Sequence, residues 1–319
     1  PNQGRNLRGV GVACGAHKNG VFGNFPEYST MTLKMNDDGS FTMNTGLHDV
    51  GCGTMTLIKQ IVAEVLDIKL SLITVLEADT DYGTYDFGTY GSRVTYVCGA
   101  CAFEVATRVK EKLLECASYI LRKPKQYLEV EDGKVWIIGK EQQKISYREI
   151  ATATIKHNTD IVITHTYQGT SNPGAYAVHF AEVEVDTKTG RVKVIDYLAV
   201  HDIGKAINPG MVEGQIQGGV QMGIGYALYE EIKIGSDGSI LNSSFNKYHV
   251  VNAPDMPLVK TLLIEQGGDD GPYGAKSVGE IAVVPVAATI INAINHALGT
   301  ALSDMPLTPE KIIAALQSK

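Results

Sequence analysis

At 319 residues, 44% of them hydrophobic and 20% charged, the chain is too apolar to be disordered and long enough to bury one extended core or two fused ones. A net charge of −7 without a Lys/Arg run excludes the electrostatic footprint of a nucleic-acid or anionic-membrane binder, so an anionic ligand has to be held by backbone dipoles. Five cysteines without a disulfide-framework spacing fit a reducing compartment, and "PNQGRNLRGVGVACG" has no apolar stretch of signal-peptide type, so a cytoplasmic location is expected.

Residues 28–50 alternate in hairpin fashion about an Asp-Asp-Gly turn at Asp37–Gly39. Residues 56–68 carry helical periodicity, "SLITVLEAD" reads as a strand, and residues 93–122 are helical again. This β-β-α-β-loop-α series predicts a first subdomain over residues 1–165. "AVHFAEVEVDTKTGRVKVIDYLAVHDIG" predicts a second hairpin, turning at Asp186–Gly190 and followed by a glycine-dense helix, within a second subdomain over residues 166–319. Regular crossover helices and internal repeats are not visible, so the expected fold class is α+β. Near the end, Ile281 to Ser303 contains no Asp, Glu, Lys or Arg. Pro285, Asn292, Asn295 and His296 within it favour a buried core helix over a membrane span, with Pro285 in the first turn and Glu280 in the loop just before.

Several motifs bear on chemistry. "CGAC", Cys98 to Cys101, lacks the further ligands of a zinc or iron–sulfur site and predicts instead a helix start of small residues whose N–H groups can bind an anion. "DTDYGTYDFGTYG" offers Asp79, Asp81 and Asp86 but not the glycine and acid positions of a calcium loop; it reads as a plain or a cofactor-facing loop. Gly214, Gly218, Gly219, Gly223 and Gly225 lie in a helical pattern at a cost of roughly 4–5 kcal/mol relative to alanine, which close approach by another helix or a ligand would offset. Neither GxGxxG nor GxxxxGK is present, which argues against a Rossmann or Walker nucleotide site. In "DVGCGTMT", Gly51 and Gly53 around Cys52 make either a tight turn or a place where a bulky ligand meets bare backbone. His48, His179 and His201 stand singly and read as structural.

Taken in order, "DVGCGT", "DTDYGTYDFGTYGSRVTYVCGA", "HFAEVEVDTKTGRVKVIDYLAVHDIGKAINPGMVEGQIQGG", "PDMP" and "GAKSVGE" resemble the C-terminal cofactor half of the xanthine oxidase family of molybdenum hydroxylases. The resemblance implies a two-subdomain molybdenum cofactor-binding domain holding a molybdopterin, in bacteria usually the cytosine dinucleotide, with the metal bound by the dithiolene and by no protein side chain. It assigns the catalytic base to Glu280. It places Gly51, Cys52, Gly53 and Thr54 at the pterin, and Ser92, Arg93, Cys98 and Gly99 at the dinucleotide phosphates. Asn208, Gln215 and Gly279 would line the same cofactor. Cys52 departs from the glutamine usual there, and a thiol cannot reproduce an amide's paired donor and acceptor.

A second departure is the lack of the family's N-terminal molybdopterin motifs. This makes the chain look like the medium molybdopterin subunit of a nicotinate dehydrogenase, split from a larger molybdopterin subunit and served by [2Fe-2S] and FAD subunits that pass electrons to NAD(P). The implied reaction is hydroxylation of a small N-heterocycle with oxygen from water, nicotinate to 6-hydroxynicotinate. The alternatives are a purine, an aldehyde or carbon monoxide as substrate, or a non-catalytic assembly subunit in which Glu280 only caps the following helix.

Overall fold

The computed structural model describes residues 4–157, 159–268 and 271–318. In chain order, β1 (Asn6–Lys18) precedes the hairpin of β2 (Tyr28–Met35) and β3 (Phe41–Thr45), then α1 (Thr54–Leu66), β4 (Ile73–Leu76) and α2 (Gly99–Leu121). A small meander of β5 (Leu128–Glu131), β6 (Lys134–Ile137) and β7 (Lys140–Ser146) leads into α3 (Tyr147–Lys156) and β8 (Val162–Gln168). The long hairpin of β9 (Gly174–Asp186) and β10 (Val192–Asp202) is followed by α4 (Pro209–Leu228), β11 (Val259–Ile264), α5 (Val286–Leu298) and α6 (Pro309–Gln317). The fold is mixed α+β, with strands and helices segregated into separate layers.

The chain divides into two compact units. The first comprises Lys18–Pro173 and Gly267–Ser277; the second comprises Pro1–His17, Gly174–Gln266 and Val278–Lys319. A contiguous division at 165/166 therefore differs from the structure in three places. The main boundary falls at Pro173, Gly267–Ser277 returns to the first unit, and most of β1 belongs to the second. The reason for the last is non-local: β1 completes the sheet order β1-β9-β10-β11, a partnership that no local sequence signal announces.

In the first unit the sheet order is β4-β3-β2-β8. Gly39 takes φ +84° at the Asp-Asp-Gly turn, and the β2–β3 register follows from it, pairing Met35 with Phe41 and Leu33 with Met43. Those side chains are fully or nearly fully buried, and α2 covers them with Val105, Val109, Leu113 and Ala117, one residue per turn of its apolar stripe.

In the second unit α5 crosses the inner face of the sheet. Gly9 and Gly11 of β1 permit this, because a Cβ at either would collide with the backbone of α5 at Ala293 or Thr289. Val286, Ala287, Ile290, Ala293, Ile294 and Ala297 fill the core there, which explains the charge-free run in the sequence. The stretch Glu280–Leu298 is long and apolar enough to cross a membrane; in this structure 61% of it is buried as the core of this unit. Pro285 occupies the N-cap and not the first helical turn. A bulge between Val194 and Asp196 shifts the register of β10 and turns Tyr197, Ala199 and His201 to the core face.

Candidate active site

In the first unit, the glycine turn at Asp49–Thr54 leads from β3 into α1. Gly51 and Gly53 take φ +106° and +79°, a region closed to most side chains, and Asp49 Oδ1 accepts from both of their N–H groups at 2.9 and 3.0 Å. A Cβ at Gly51 would meet nothing within 4 Å, so the backbone there is open to a ligand. α1 begins at Gly53 without a side-chain cap, leaving its first N–H groups to be satisfied from outside the helix. The Cys52 thiol is half-buried and lies 3.1 Å from Thr54 Oγ1.

The segment around "SRVTYVCGA" differs from the expected helix start at Cys98. A π-helical turn, Val94–Cys98, already precedes α2, so Cys98 and Gly99 lie inside a continuous helical run without exposed N–H groups. Cys98 and Cys101 are fully buried; burial pushes the Cys98 thiol up and the Cys101 thiol up to about 12. Gly99 admits Pro272 instead of a ligand, since a Cβ would stand 2.9 Å from Pro272 Cγ. Arg93, next to the nearly buried Ser92, is likewise committed internally. Its Nε donates to Glu27 Oε1 and its Nη1 to Asp86 Oδ1, each at 2.6 Å, and Nη2 donates to Tyr28 O at 2.7 Å. The guanidinium and both carboxylates are buried, so Asp86 of the candidate calcium loop balances charge within the fold.

The sequence reading did not single out Asn19. This buried residue donates from Nδ2 to Pro173 O at 2.8 Å and accepts from Ser277 N at 2.8 Å, while Ser277 Oγ accepts from Tyr96 N at 3.3 Å. The "GAKS" half of the last motif is thereby fixed to the first unit.

In the second unit, Asn208 caps α4, its Oδ1 accepting from Met211 N at 3.1 Å, and Gln215 is half-buried in the same helix. The helical glycines fall into two stripes. Gly219 and Gly223 admit Ala282 and Val286, whereas a Cβ at Gly214 or Gly218 would meet nothing within 4 Å. One stripe is a helix contact, and the other leaves bare backbone on the surface.

Glu280 opens a short 3-10 turn, Glu280–Ala282, directly after Gly279, and its side chain is exposed. Everything behind it is anchored. Ile281 is buried against Ala175 and Ala177 of β9, and Ala282 fits against Gly219. The Tyr226 hydroxyl donates to Val283 O at 3.3 Å, and Thr289 Oγ1 donates to Pro285 O at 2.8 Å. A carboxylate is thus presented outward from a rigid base, the arrangement a positioned proton acceptor needs.

His179 and His201, which look isolated in sequence, form a buried pair with Nε2 atoms 2.8 Å apart, and His179 Nδ1 lies 2.8 Å from the Tyr197 hydroxyl. Burial and the neighbouring His201 hold His179 down at about 3, and burial holds His201 at about 4. His48 is exposed in the first unit.

Residues 1–257 match the family described as molybdopterin cofactor-binding domain. The xanthine dehydrogenase molybdenum-binding subunit of Escherichia coli O157:H7 is 32% identical over 97% of this chain and 42% of its own length. The nicotine 6-hydroxylase large subunit of Paenarthrobacter nicotinovorans is 32% identical over 90% of this chain and 37% of its own length. The crystal structure of quinoline 2-oxidoreductase from Pseudomonas putida 86 superposes with a TM-score of 0.92 at 27% identity, over 99% of this chain and 42% of that one. The chain thus spans about two-fifths of the length of these relatives.

Proposed function

The chain belongs to the molybdopterin cofactor-binding domain of the xanthine oxidase family of molybdenum hydroxylases, and on that premise we propose that it supplies the catalytic base, Glu280, to an enzyme hydroxylating an N-heterocycle. The observation that carries this reading is the Glu280 turn: a lone exposed carboxylate, ahead of a charge-free helix, fixed from behind by Ile281, Ala282, Tyr226 and Thr289.

The residues present fit a large polar cofactor held through backbone. Gly51 in the first unit, and Gly214 and Gly218 in the second, each leave space that a Cβ would occupy. Gly51, Cys52, Gly53 and Thr54, with the uncapped start of α1, would hold one part of the molybdopterin; Asn208, Gln215 and Gly279 would hold another. Arg93, Cys98 and Gly99 shape the fold beneath and do not reach out to phosphate. The cytosine dinucleotide form is part of the proposal. When bound, the cofactor supplies the two-electron oxidation, and the oxygen comes from water.

The chain's own part is proton transfer and positioning. A Glu280 carboxylate oxygen takes the proton of the attacking oxygen nucleophile, which increases its reactivity toward a ring carbon next to nitrogen. The anchored turn sets the direction of the carboxylate, and the apolar helix behind it leaves no competing charge. Nicotinate is the proposed substrate. The proposed partners are a larger molybdopterin subunit and [2Fe-2S] and FAD subunits, with electrons leaving to NAD(P). That relatives carry the names of nicotine and quinoline enzymes supports a heterocycle, and the xanthine dehydrogenase relative makes a purine the second reading.

The test is purification of the chain with its partners, followed by molybdenum analysis and assay on nicotinate, hypoxanthine and benzaldehyde. Turnover of nicotinate with incorporation of labelled oxygen from water supports the proposal. Turnover of hypoxanthine alone moves the reading to the purine, and a complex devoid of molybdenum overturns it.

A further inference from the structure

Four buried side chains of the second unit form a hydrogen-bond chain behind the Glu280 turn, and its direction can be assigned from the partners. Thr289 Oγ1 gives its proton to Pro285 O at 2.8 Å. Thr289 can then only accept from the Tyr197 hydroxyl, to which it is hydrogen-bonded. With its one proton committed, Tyr197 Oη accepts from His179 Nδ1–H at 2.8 Å. A neutral imidazole protonated at Nδ1 has a bare Nε2, so His201 Nε2 carries the proton shared across 2.8 Å. His201 Nδ1 is then a lone pair. It is fully buried and has no partner among the described residues.

The chain brackets the turn. One end fixes the carbonyl of Pro285, beyond the turn's last residue. At the other end, His201 lies opposite Ala177 in the β9–β10 ladder, and Ala177 packs with Ala175 against Ile281, the neighbour of Glu280. Ala175, Ala177 and Ala199 share the buried face with His201, and such small side chains suit a donor the size of water. A buried acceptor with no donor at all would cost about 1–3 kcal/mol.

We propose that His179 and His201 are positioning residues for Glu280, locking its turn through this one-directional chain, and that His201 Nδ1 holds an internal water as the closing donor. The proposal rests on the reading of Glu280 as the base.

Neutron diffraction from deuterium-exchanged crystals of the assembled complex tests the network itself. The expected map has deuterons on His179 Nδ1 and His201 Nε2 and a water donating to His201 Nδ1; a deuteron on His201 Nδ1 overturns the assignment. Function is tested with His201→Phe, which keeps the ring but loses both nitrogens, and His201→Gln, whose amide can still donate toward His179. His201→Phe is expected to lower kcat about 10–100-fold through misplacement of the carboxylate, with KM and molybdenum content unchanged, and His201→Gln to recover most of the loss. Unchanged kcat in a molybdenum-replete His201→Phe complex overturns the positioning role, and so does a His201→Gln complex as slow as the Phe variant. Should His201→Phe not fold, the Gln variant and the neutron map still decide. A near-normal rate for Glu280→Gln would remove the base reading while leaving the deuteron pattern standing, so the two failures are distinguishable.

Discussion

Gly219 of α4 stands so close to the Glu280 turn that a methyl group added to it would lie 2.6 Å from the Cβ of Ala282. Gly218, its immediate neighbour, meets nothing within 4 Å. One helix therefore uses glycine for two purposes, close packing on one side and open backbone on the other. Gly219→Ala should destabilise the chain by about 1–3 kcal/mol, because the contact is with another residue's Cβ and backbone. Gly218→Ala should stabilise it by up to about 1 kcal/mol, yet lower molybdenum retention in the complex if that open stripe faces the cofactor. Urea midpoints and metal content of the two variants check this, and a stable Gly219→Ala protein would contradict the packing account.

Arg93 neutralises Glu27 and Asp86 where none of the three reaches solvent. Arg93→Met leaves two carboxylates buried together and should cost about 3–5 kcal/mol, seen as a large fall in the urea midpoint. Arg93→Lys should restore only part of it, since an ammonium cannot bridge both acids and the Tyr28 carbonyl in the planar geometry of a guanidinium. A midpoint unchanged in Arg93→Met would show that the network is not needed for folding.

The cysteines separate by exposure. Cys14 is exposed, while Cys98 and Cys101 are buried with thiols pushed up by desolvation. Iodoacetamide at neutral pH should modify Cys14 in the native isolated chain and spare Cys98 and Cys101 until denaturant is added. Replacing Cys98 and Cys101 together by Ser should leave iron and zinc content unchanged. Native labelling of either buried thiol, or loss of a stoichiometric metal in the double variant, would contradict this.

The parts of the fold legible in the sequence are those fixed by short-range signals. The turns at Asp37–Gly39 and Asp186–Gly190, the helix beginning near Thr56 and the apolar helix after Glu280 all appear close to their expected places. The meander of β5, β6 and β7 escaped because its strands are short and its outer positions polar. The His179–His201 pair escaped for a sharper reason. Counting by twos from the buried Val194 puts Tyr197, Ala199 and His201 on the solvent side; the bulge after Val194 reverses this. Cys98 was misplaced because the π-helical turn begins the helix earlier than the glycine suggests. The outward carboxylate of Glu280 was legible; what anchors it was not, since Ala175, Tyr226 and Thr289 converge on it only through tertiary packing.

The buried imidazoles also predict a pH dependence. In the folded chain His179 and His201 are held at about 3 and about 4, against 6.5 for an ordinary histidine. As pH falls below about 6.5 the unfolded chain therefore takes up protons that the folded chain refuses, so the stability from this pair is complete above that value and is lost on acidification. Asp186, held down by the hydrogen bond from Arg5, contributes in the same direction but only below its usual 3.8. Urea midpoints measured from pH 8 to pH 4.5 should decline, and the decline should flatten in a His179→Gln, His201→Gln double variant. An equal slope in both proteins would show that the histidines are not its source.

Glu280→Gln in the assembled complex, with kcat and molybdenum measured on the same preparation, tests the central claim most directly. The amide keeps the size and reach of the side chain but cannot take a proton at neutral pH. Molybdenum, iron and flavin contents should stay at wild-type levels while turnover falls by roughly 10²–10⁴, as for loss of a general base. A variant with full cofactor, about 1 kcal/mol of lost stability and a near-normal kcat would show Glu280 to be a helix cap, and would contradict the account.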